Sequence, residues 1–258
     1  MRRCLVLIIA LALIVAACTT APVTGRRQFN IIPSGQALQL GSQAYQQIKA
    51  STPVARQSER QQLIERIGFD IVRVAEAPPE FEWEFTLFED PTPNAFALPG
   101  GKVGVHTGLF DVVENEDQLA TVMAHEVGHA IADHGSERMS RALAMQVGLA
   151  VAGAATESAE AVNLLAGLAQ LGVELPFTRS QEAEADHIGL IYMARAGYDP
   201  SEADDLWMNF ARLGGERPPE FLSTHPHPEN RIKAIRELLP RACNIYFERT
   251  GRRCKDQG

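Results

Sequence analysis

The chemistry of this chain centres on the segment Gln118-Leu119-Ala120-Thr121-Val122-Met123-Ala124-His125-Glu126-Val127-Gly128-His129. The small and apolar residues that precede the first histidine are typical of a buried helix. Because His125 and His129 are four residues apart, a helix places both imidazoles on one face, where they can bind one metal ion. Glu126 lies beside them and can hold a water against that metal. The segment therefore predicts zinc-assisted hydrolysis of an amide.

The pentapeptide alone is only moderately specific, because an ordinary surface helix with two solvated histidines produces the same pattern. A candidate third ligand lies in a second predicted helix, about Thr178 to Ala196. There Glu182 and Asp186 share a face, and Glu184 points nearly opposite. Geometry alone does not choose between the two glutamates. The chemistry favours Glu182 as ligand with Asp186 as an orienting carboxylate, and leaves Glu184 on a solvated acidic face.

Composition limits the class of protein. The chain has 258 residues, 45% of them hydrophobic, which is enough for one large domain or two small ones. Its formal net charge is −8, and the sequence contains no block rich in lysine and arginine. Nucleic acid is therefore not an expected partner, since phosphates require a basic surface.

The N-terminus has the pattern of an export signal. Met1-Arg2-Arg3 is basic, and the apolar run from Leu5 to Ala16 is too short to span a membrane comfortably. Val15-Ala16-Ala17-Cys18 resembles a bacterial lipobox, which implies cleavage before Cys18 and lipidation of its sulfur. The alternative is an ordinary secretory signal cut at the same bond. Thr19 follows, where an Asp commonly retains lipoproteins at the inner membrane, so the outer membrane is expected.

The four cysteines divide accordingly. Cys4 leaves with the signal and Cys18 carries the lipid, so Cys243 and Cys254 remain as a pair. An exported chain matures in an oxidising compartment, which predicts a disulfide between them. Free or metal-binding thiols are the alternative, although no CxxC spacing supports them.

The remaining pattern predicts a mainly α (α+β) fold with a small β-sheet beside the helix of the two histidines. Asn94 to His106 reads as two short strands around a Pro-Gly-Gly turn, of which the first is either one arm of a hairpin or an edge that pairs with a substrate peptide. The other predicted elements are helices at 34–50, 55–75 and 201–213, a strand at 81–87, a helical hairpin at 142–171 and a final helix ending at Leu239. The predicted division is a signal at 1–17, a lipidated tether at 18–33, a metallopeptidase domain at 34–240 and a tail at 241–258 with the disulfide.

Four blocks in order carry a resemblance to metallopeptidase family 48, the HtpX and CAAX-prenyl-protease type of gluzincin. They are Asn94-Ala95-Phe96…Pro99-Gly100-Gly101, His125-Glu126-Val127-Gly128-His129, Glu182-Ala183-Glu184-Ala185-Asp186 and Thr224-His225-Pro226…Arg231. The chain is particularly similar to short exported lipoprotein members and to the protease domain of longer envelope members.

The resemblance implies one Zn²⁺ per chain, bound by His125, His129 and Glu182, with Glu126 as general base. It places His225 and Arg231 near the metal. There His225 either plugs the fourth ligand position or, like Arg231, offsets negative charge during catalysis. His227 has no implied role and is expected at the surface.

The resemblance also implies that the strand of Asn94, Ala95 and Phe96 borders the substrate cleft. The predicted function is a zinc endopeptidase of the bacterial envelope, lipid-anchored through Cys18 on the periplasmic side of the outer membrane. It would cleave misfolded or misassembled envelope proteins. The alternative is a zinc-containing, chaperone-like assembly factor with latent proteolysis. Nothing in the sequence indicates an oligomeric state.

Overall fold

The computed structural model describes residues 18–21, 24–55, 58–153, 177–213, 220–226 and 228–255. The predicted signal segment, His227 and residues 154–171 of the predicted helical hairpin lie outside these ranges. Within them, no helix combines the length and hydropathy needed to cross a bilayer. The strands are β1 (Cys18–Thr20), β2 (Arg27–Phe29), β3 (Glu84–Phe88), β4 (Ala95–Leu98) and β5 (Lys102–His106). The helices are α1 (Ser34–Ser51), α2 (Glu59–Val74), α3 (Glu116–Ile131), α4 (His134–Gly153), α5 (Arg179–Ala196), α6 (Glu202–Leu213), α7 (Glu220–Thr224) and α8 (Pro228–Thr250), and a 3₁₀ helix covers Thr107–Asp111.

The fold is mostly helical, with a small mixed sheet in the order β3-β5-β4. β3 pairs with β5 in parallel and β4 pairs with β5 antiparallel. The turn between β4 and β5 contains Gly100 and Gly101, with φ values of 89° and 80°, which glycine adopts without strain. The predicted fold class, including the small sheet beside the helix of His125 and His129, is confirmed.

Helix α3 is the centre of the molecule. Asn115 caps its start by accepting a hydrogen bond from the backbone N–H of Gln118, and the helix is buried from Gln118 to Ile131. α5 packs against it closely because glycines stand at the contact. A Cβ on Gly128 would lie 2.9 Å from the carbonyl oxygen of Ala185, and one on Gly189 would lie 3.0 Å from the backbone nitrogen of His125. This close approach brings the acidic start of α5 to the histidines of α3.

The structure corrects the prediction that residues 18–33 form a tether. β1 and β2 pair antiparallel, with Cys18 opposite Phe29, and the segment packs on the connection between α3 and α4. Gln28 is buried and its side-chain amide donates a hydrogen bond to the carbonyl of Ala132. Ile32 is also buried. Polar composition predicted solvation, but these polar groups have partners in the protein. Residues 18–21 and 24–33 are called the N-terminal arm below.

The last helix also differs from the prediction. α8 continues past Leu239 to Thr250, because buried apolar side chains recur at helical spacing at Ile235, Leu239, Ala242 and Tyr246. The sulfur atoms of Cys243 and Cys254 lie 2.12 Å apart, which is the separation of a disulfide bond. Similarly, α4 begins at His134 rather than at residue 142.

Candidate metal centre

Two histidines of α3 form the base of the site. His125 and His129 are 3% and 1% exposed, and their Nε2 atoms lie 3.0 Å apart. The helix accounts for this pairing, since residues four apart lie on the same face. Burial rules out two solvated histidines on a surface helix.

Glu182 of α5 faces the same two nitrogens. Its Oε1 lies 3.3 Å from His129 Nε2, and its Oε2 lies 3.6 Å from His125 Nε2. The side chain of Thr178 accepts a hydrogen bond from the backbone of Gln181 and so starts the helix one turn earlier. The structure therefore places Glu182, and not Glu184, against both histidines.

His225, between α7 and α8, completes the group. Its Nδ1 lies 3.2 Å from His125 Nε2 and 3.1 Å from Glu182 Oε1. One nitrogen or oxygen from each of His125, His129, Glu182 and His225 lies within 4.8 Å of the others, and all four side chains are buried.

The spacing of these atoms fits a zinc ion. Tetrahedral bonds of about 2.0–2.1 Å place neighbouring ligand atoms about 3.3 Å apart. The five separations given above, from His125 to His129, from Glu182 to each of these histidines, and from His225 to His125 and Glu182, run from 3.0 to 3.6 Å. Three imidazoles and a carboxylate are also a ligand set that zinc prefers to magnesium or calcium.

Glu126 is buried next to this group. It has 0% exposure, and neither carboxylate oxygen accepts a hydrogen bond from the described residues. His225 Nε2 lies 3.4 Å from its Oε1. A fully buried carboxylate without a donor is costly, so its position is best explained by a role at the site rather than in packing.

Asp186 and Arg231 form a second layer around the ligand atoms. Asp186 Oδ1 lies 3.0 Å from His125 Nδ1, so it can accept that proton and leave Nε2 free for a metal. Arg231 donates to both oxygens of Asp186, at 2.8 and 2.5 Å, and to Glu182 Oε2 at 2.5 Å. Its guanidinium also stacks over Trp207, 3.7 Å from the ring centroid. The guanidinium is thus directed at the two carboxylates, which it orients.

Burial and neighbouring charges favour the protonation states in which Glu182 and His129 can bind a metal. Burial raises the pKa of Glu182, but the charge of Arg231, the charge of His225 and hydrogen bonds from His129 and His225 together outweigh burial, and the pKa lies well below the ordinary value. The carboxyl is therefore ionised. Burial and the neighbouring His125 hold the pKa of His129 well below its ordinary value, so its imidazole is neutral. Zinc requires both of these forms from its ligands.

The structure corrects the prediction that Glu184 faces solvent. The residue is 6% exposed, and its Oε2 lies 2.9 Å from Nε2 of His134. His134 is fully buried, and its Nδ1 lies 2.9 Å from Nδ1 of His129. His134 lies five residues after His129, so a continuous helix would not place it on the face of His125 and His129. The helix ends between them, where Asp133 adopts a φ of 55°, and the reversal of the chain returns His134 to the site.

An aromatic group that the sequence did not single out encloses the centre. Phe177 stacks on His129 at 3.8 Å, and Phe221 stacks on His225 at 4.5 Å. Trp207 lies edge-on to His125 at 6.5 Å. No motif marks these rings, since isolated aromatic residues in helices are more often core than site.

Other predicted residues lie outside the ligand group. Asn94, Ala95 and Phe96 are buried at the start of β4, an edge strand of the described sheet that packs against α3. Cys18 begins β1 of the N-terminal arm, and the Cys243–Cys254 pair lies at the C-terminal end of α8.

Comparisons with known proteins agree with this geometry. The model of peptidase family M48 matches residues 55–239. A mitochondrial metalloendopeptidase OMA1 of Saccharomyces cerevisiae is 35% identical over 248 residues, which is 88% of this chain and 70% of that protein. The OMA1 of Schizosaccharomyces pombe is 33% identical over 226 residues, 86% of this chain and 66% of the relative. A beta-barrel assembly-enhancing protease of Escherichia coli is 34% identical over 230 residues, 84% of this chain but 46% of the relative.

The chain thus spans about two thirds of the fungal relatives and about half of the bacterial one. The match includes all four of the clustered side chains, since His125, His129, Glu182 and His225 lie inside the range of the family model. The prediction of a family 48 metallopeptidase is confirmed: this chain belongs to peptidase family M48.

Proposed function

We propose that this protein is a zinc-dependent endopeptidase, with one Zn²⁺ bound by His125, His129 and Glu182. The observation that supports this most directly is the buried set of ligand atoms beside Glu126, a carboxylate with no hydrogen-bond donor among the described residues. A bound zinc would polarise the scissile carbonyl and make a water more acidic.

The residues of the chain supply the proton transfers and the geometry. Glu126 accepts the proton of the attacking water and delivers it to the leaving amine. His225 Nε2, on the same side as Glu126, is placed to stabilise negative charge on the substrate oxygen. The N–H groups of Arg231 donate hydrogen bonds to Asp186 and Glu182. We therefore assign Arg231 to positioning these carboxylates, instead of to offsetting negative charge during catalysis as the sequence suggested.

The test is the Glu126→Gln variant. It should retain zinc and lose cleavage of an unfolded protein substrate by about 100-fold or more, the contribution of a general base. Glu116→Gln is the matched control, because it makes the same change at the exposed start of the same helix. Cleavage by Glu126→Gln at the wild-type rate would contradict the mechanism.

We propose that substrates bind by adding a strand to β4. In the described part of the sheet β4 pairs only with β5, which leaves its other backbone edge for a peptide. Because the side chains of Asn94, Ala95 and Phe96 are buried, recognition would rest on main-chain hydrogen bonds. Such recognition suits misfolded proteins of varied sequence.

We propose that the protein acts in the bacterial envelope, on the periplasmic side of the outer membrane, anchored by a lipid on Cys18. The lipobox-like sequence before Cys18 and the Cys243–Cys254 pair support an exported, oxidising location. Mass spectrometry of the membrane fraction tests this directly. Acylation should be present in the wild type and absent in Cys18→Ser.

A second function is supported by the position of His225. Its Nδ1 lies among the ligand atoms, in the place where water or a substrate carbonyl would bind. A centre closed in this way favours a chaperone-like assembly factor whose proteolysis is latent. The two functions differ in cells: full complementation by Glu126→Gln would favour the assembly factor, and a deletion-like phenotype would favour the protease.

A further inference from the structure

A chain of hydrogen bonds leads away from the metal ligand His129. If its Nε2 binds a metal, the ring proton must be on Nδ1, which lies 2.9 Å from Nδ1 of His134. His134 must then accept at Nδ1 and carry its own proton on Nε2. That nitrogen lies 2.9 Å from Glu184 Oε2, a carboxylate that can only accept when ionised. The three side chains thus fit one set of tautomers.

The far end of this chain is held by the N-terminal arm. The hydroxyl of Thr24 and the Nε of Arg26 both donate hydrogen bonds to Glu184. The same guanidinium donates to Glu137 of α4 through Nη1 and Nη2, at 3.2 and 2.7 Å. Arg26 therefore ties α4 to α5 and fixes Glu184 at the same time. Its side chain is 24% exposed, whereas that of Glu184 is 4% exposed.

Further hydrogen bonds hold the arm against the turn between α3 and α4 and against α4 itself. The side chain of Asn30 donates to Asp133, the residue with positive φ, at 3.1 Å. The backbone N–H of Ile31 donates to Ser140 Oγ, also at 3.1 Å. The turn that places His134 is thus supported by the arm as well as by α4.

Assuming the zinc site proposed above, we infer that the N-terminal arm is part of the outer shell of that site. Thr24 and Arg26 orient Glu184, Glu184 orients His134, and His134 fixes the tautomer and ring plane of His129. His134, Glu184 and Arg26 are positioning residues, because His134 alone of the three contacts a ligand. The arm, which begins at the proposed lipid anchor Cys18, contributes to metal affinity from outside the cleft.

The test measures the zinc dissociation constant of the purified full chain by competition with a chelating dye. Removing an outer-shell partner of a ligating histidine weakens binding by about 10- to 100-fold, which we expect for His134→Leu. His134→Asn keeps an acceptor near the position of Nδ1 and should restore part of that loss. Arg26→Ala and Glu184→Gln should weaken binding in the same direction. The absorption bands of the Co²⁺-substituted protein should shift in these variants.

Glu137→Gln is the matched control. It removes the other half of the Arg26 ion pair but leaves the hydrogen bonds of Arg26, Glu184, His134 and His129 to one another in place. We expect it to lower the thermal stability of the metal-free protein but to leave zinc affinity and the Co²⁺ spectrum unchanged.

The outcomes distinguish the inferred role of the N-terminal arm from the proposed function as a zinc endopeptidase. If the wild type binds zinc and His134→Leu and Arg26→Ala bind it equally well, the inference is wrong and the proposed function stands. Equal weakening by Glu137→Gln and Glu184→Gln would also overturn it, because the effect would then be general loosening. A wild-type protein that binds no zinc would refute both.

Discussion

Gly128→Ala tests whether the close approach of α3 and α5 builds the metal centre. Gly128 is the residue before His129, and its missing side chain faces α5. A Cβ there would lie 2.9 Å from the carbonyl oxygen of Ala185, where ordinary contact begins at 3.4 Å. Ala185 is flanked by Glu184 and Asp186, so the segment that must move is the one that orients the site.

The size of the effect follows from that distance. Relieving the contact requires the helices to separate by about 0.5 Å, and forced overpacking costs about 1–3 kcal/mol. Ligand distances in zinc sites lie within about 0.2 Å of their usual values. Binding must therefore draw α5 back against the clash, which predicts a dissociation constant raised by about 5- to 140-fold.

Two measurements check this prediction: chelator competition for zinc affinity and urea unfolding of the metal-free protein. Gly35→Ala is the control, because a Cβ there meets nothing within 4 Å near the start of α1. It should leave zinc affinity unchanged. Wild-type zinc affinity in Gly128→Ala would refute the reasoning, since it would mean that the helix spacing does not limit the ligand geometry.

Three further predictions concern stability. Burial raises the pKa of Asp133 from 3.8 to about 6, so the folded state keeps a proton that the unfolded chain releases. The contribution of Asp133 to the free energy of unfolding should therefore fall by up to about 3 kcal/mol as pH rises between these values. Because the lowered pKa values of His129 and His134 act in the opposite direction, this contribution is measured as the difference between metal-free wild type and metal-free Asp133→Asn at both ends of the range. Arg231→Met leaves Asp186 as a buried, uncompensated charge and should destabilise metal-free protein by about 3–5 kcal/mol in urea, while Arg231→Lys should cost less. Reduction of the Cys243–Cys254 pair, which closes a loop with a sequence separation of 11, should lower the unfolding free energy by about 3 kcal/mol, and reductant should have no effect on Cys243→Ser.

The parts of the site that the sequence predicted are those that depend on local geometry. His125 and His129 are one helical turn apart, so a helix of any tertiary arrangement brings them together. Glu182 and Asp186 are related in the same way, and the preference for Glu182 came from chemistry and from the resemblance. The Pro-Gly-Gly turn was also local, because positive φ at Gly100 and Gly101 needs glycine.

The parts that were wrong depend on contacts between distant segments. Glu184 has a polar sequence context and points away from Glu182, so it was placed in solvent. It is buried because His134 and Arg26, fifty or more residues away along the chain, meet it there. The arm was predicted as a tether for the same reason. Its polar groups are satisfied by α4, by α5 and by the turn between α3 and α4, none of which is visible in its own composition.

The sequence by itself therefore determined the class of chemistry: two histidines and a base on one buried helix, an acidic partner helix, and membership of a metallopeptidase family. Those features follow from helical periodicity and ligand chemistry, which act over one or two turns. The tertiary structure decided the contacts around the ligands. The resemblance implied that His225 and Arg231 lie near the metal, but their contacts with His125, Glu182 and Asp186 depend on how α8 and the segment before it pack. His134 reaches the centre only because the chain reverses at Asp133. Such contacts are set by how helices pack and where chains turn, and these properties belong to the whole fold.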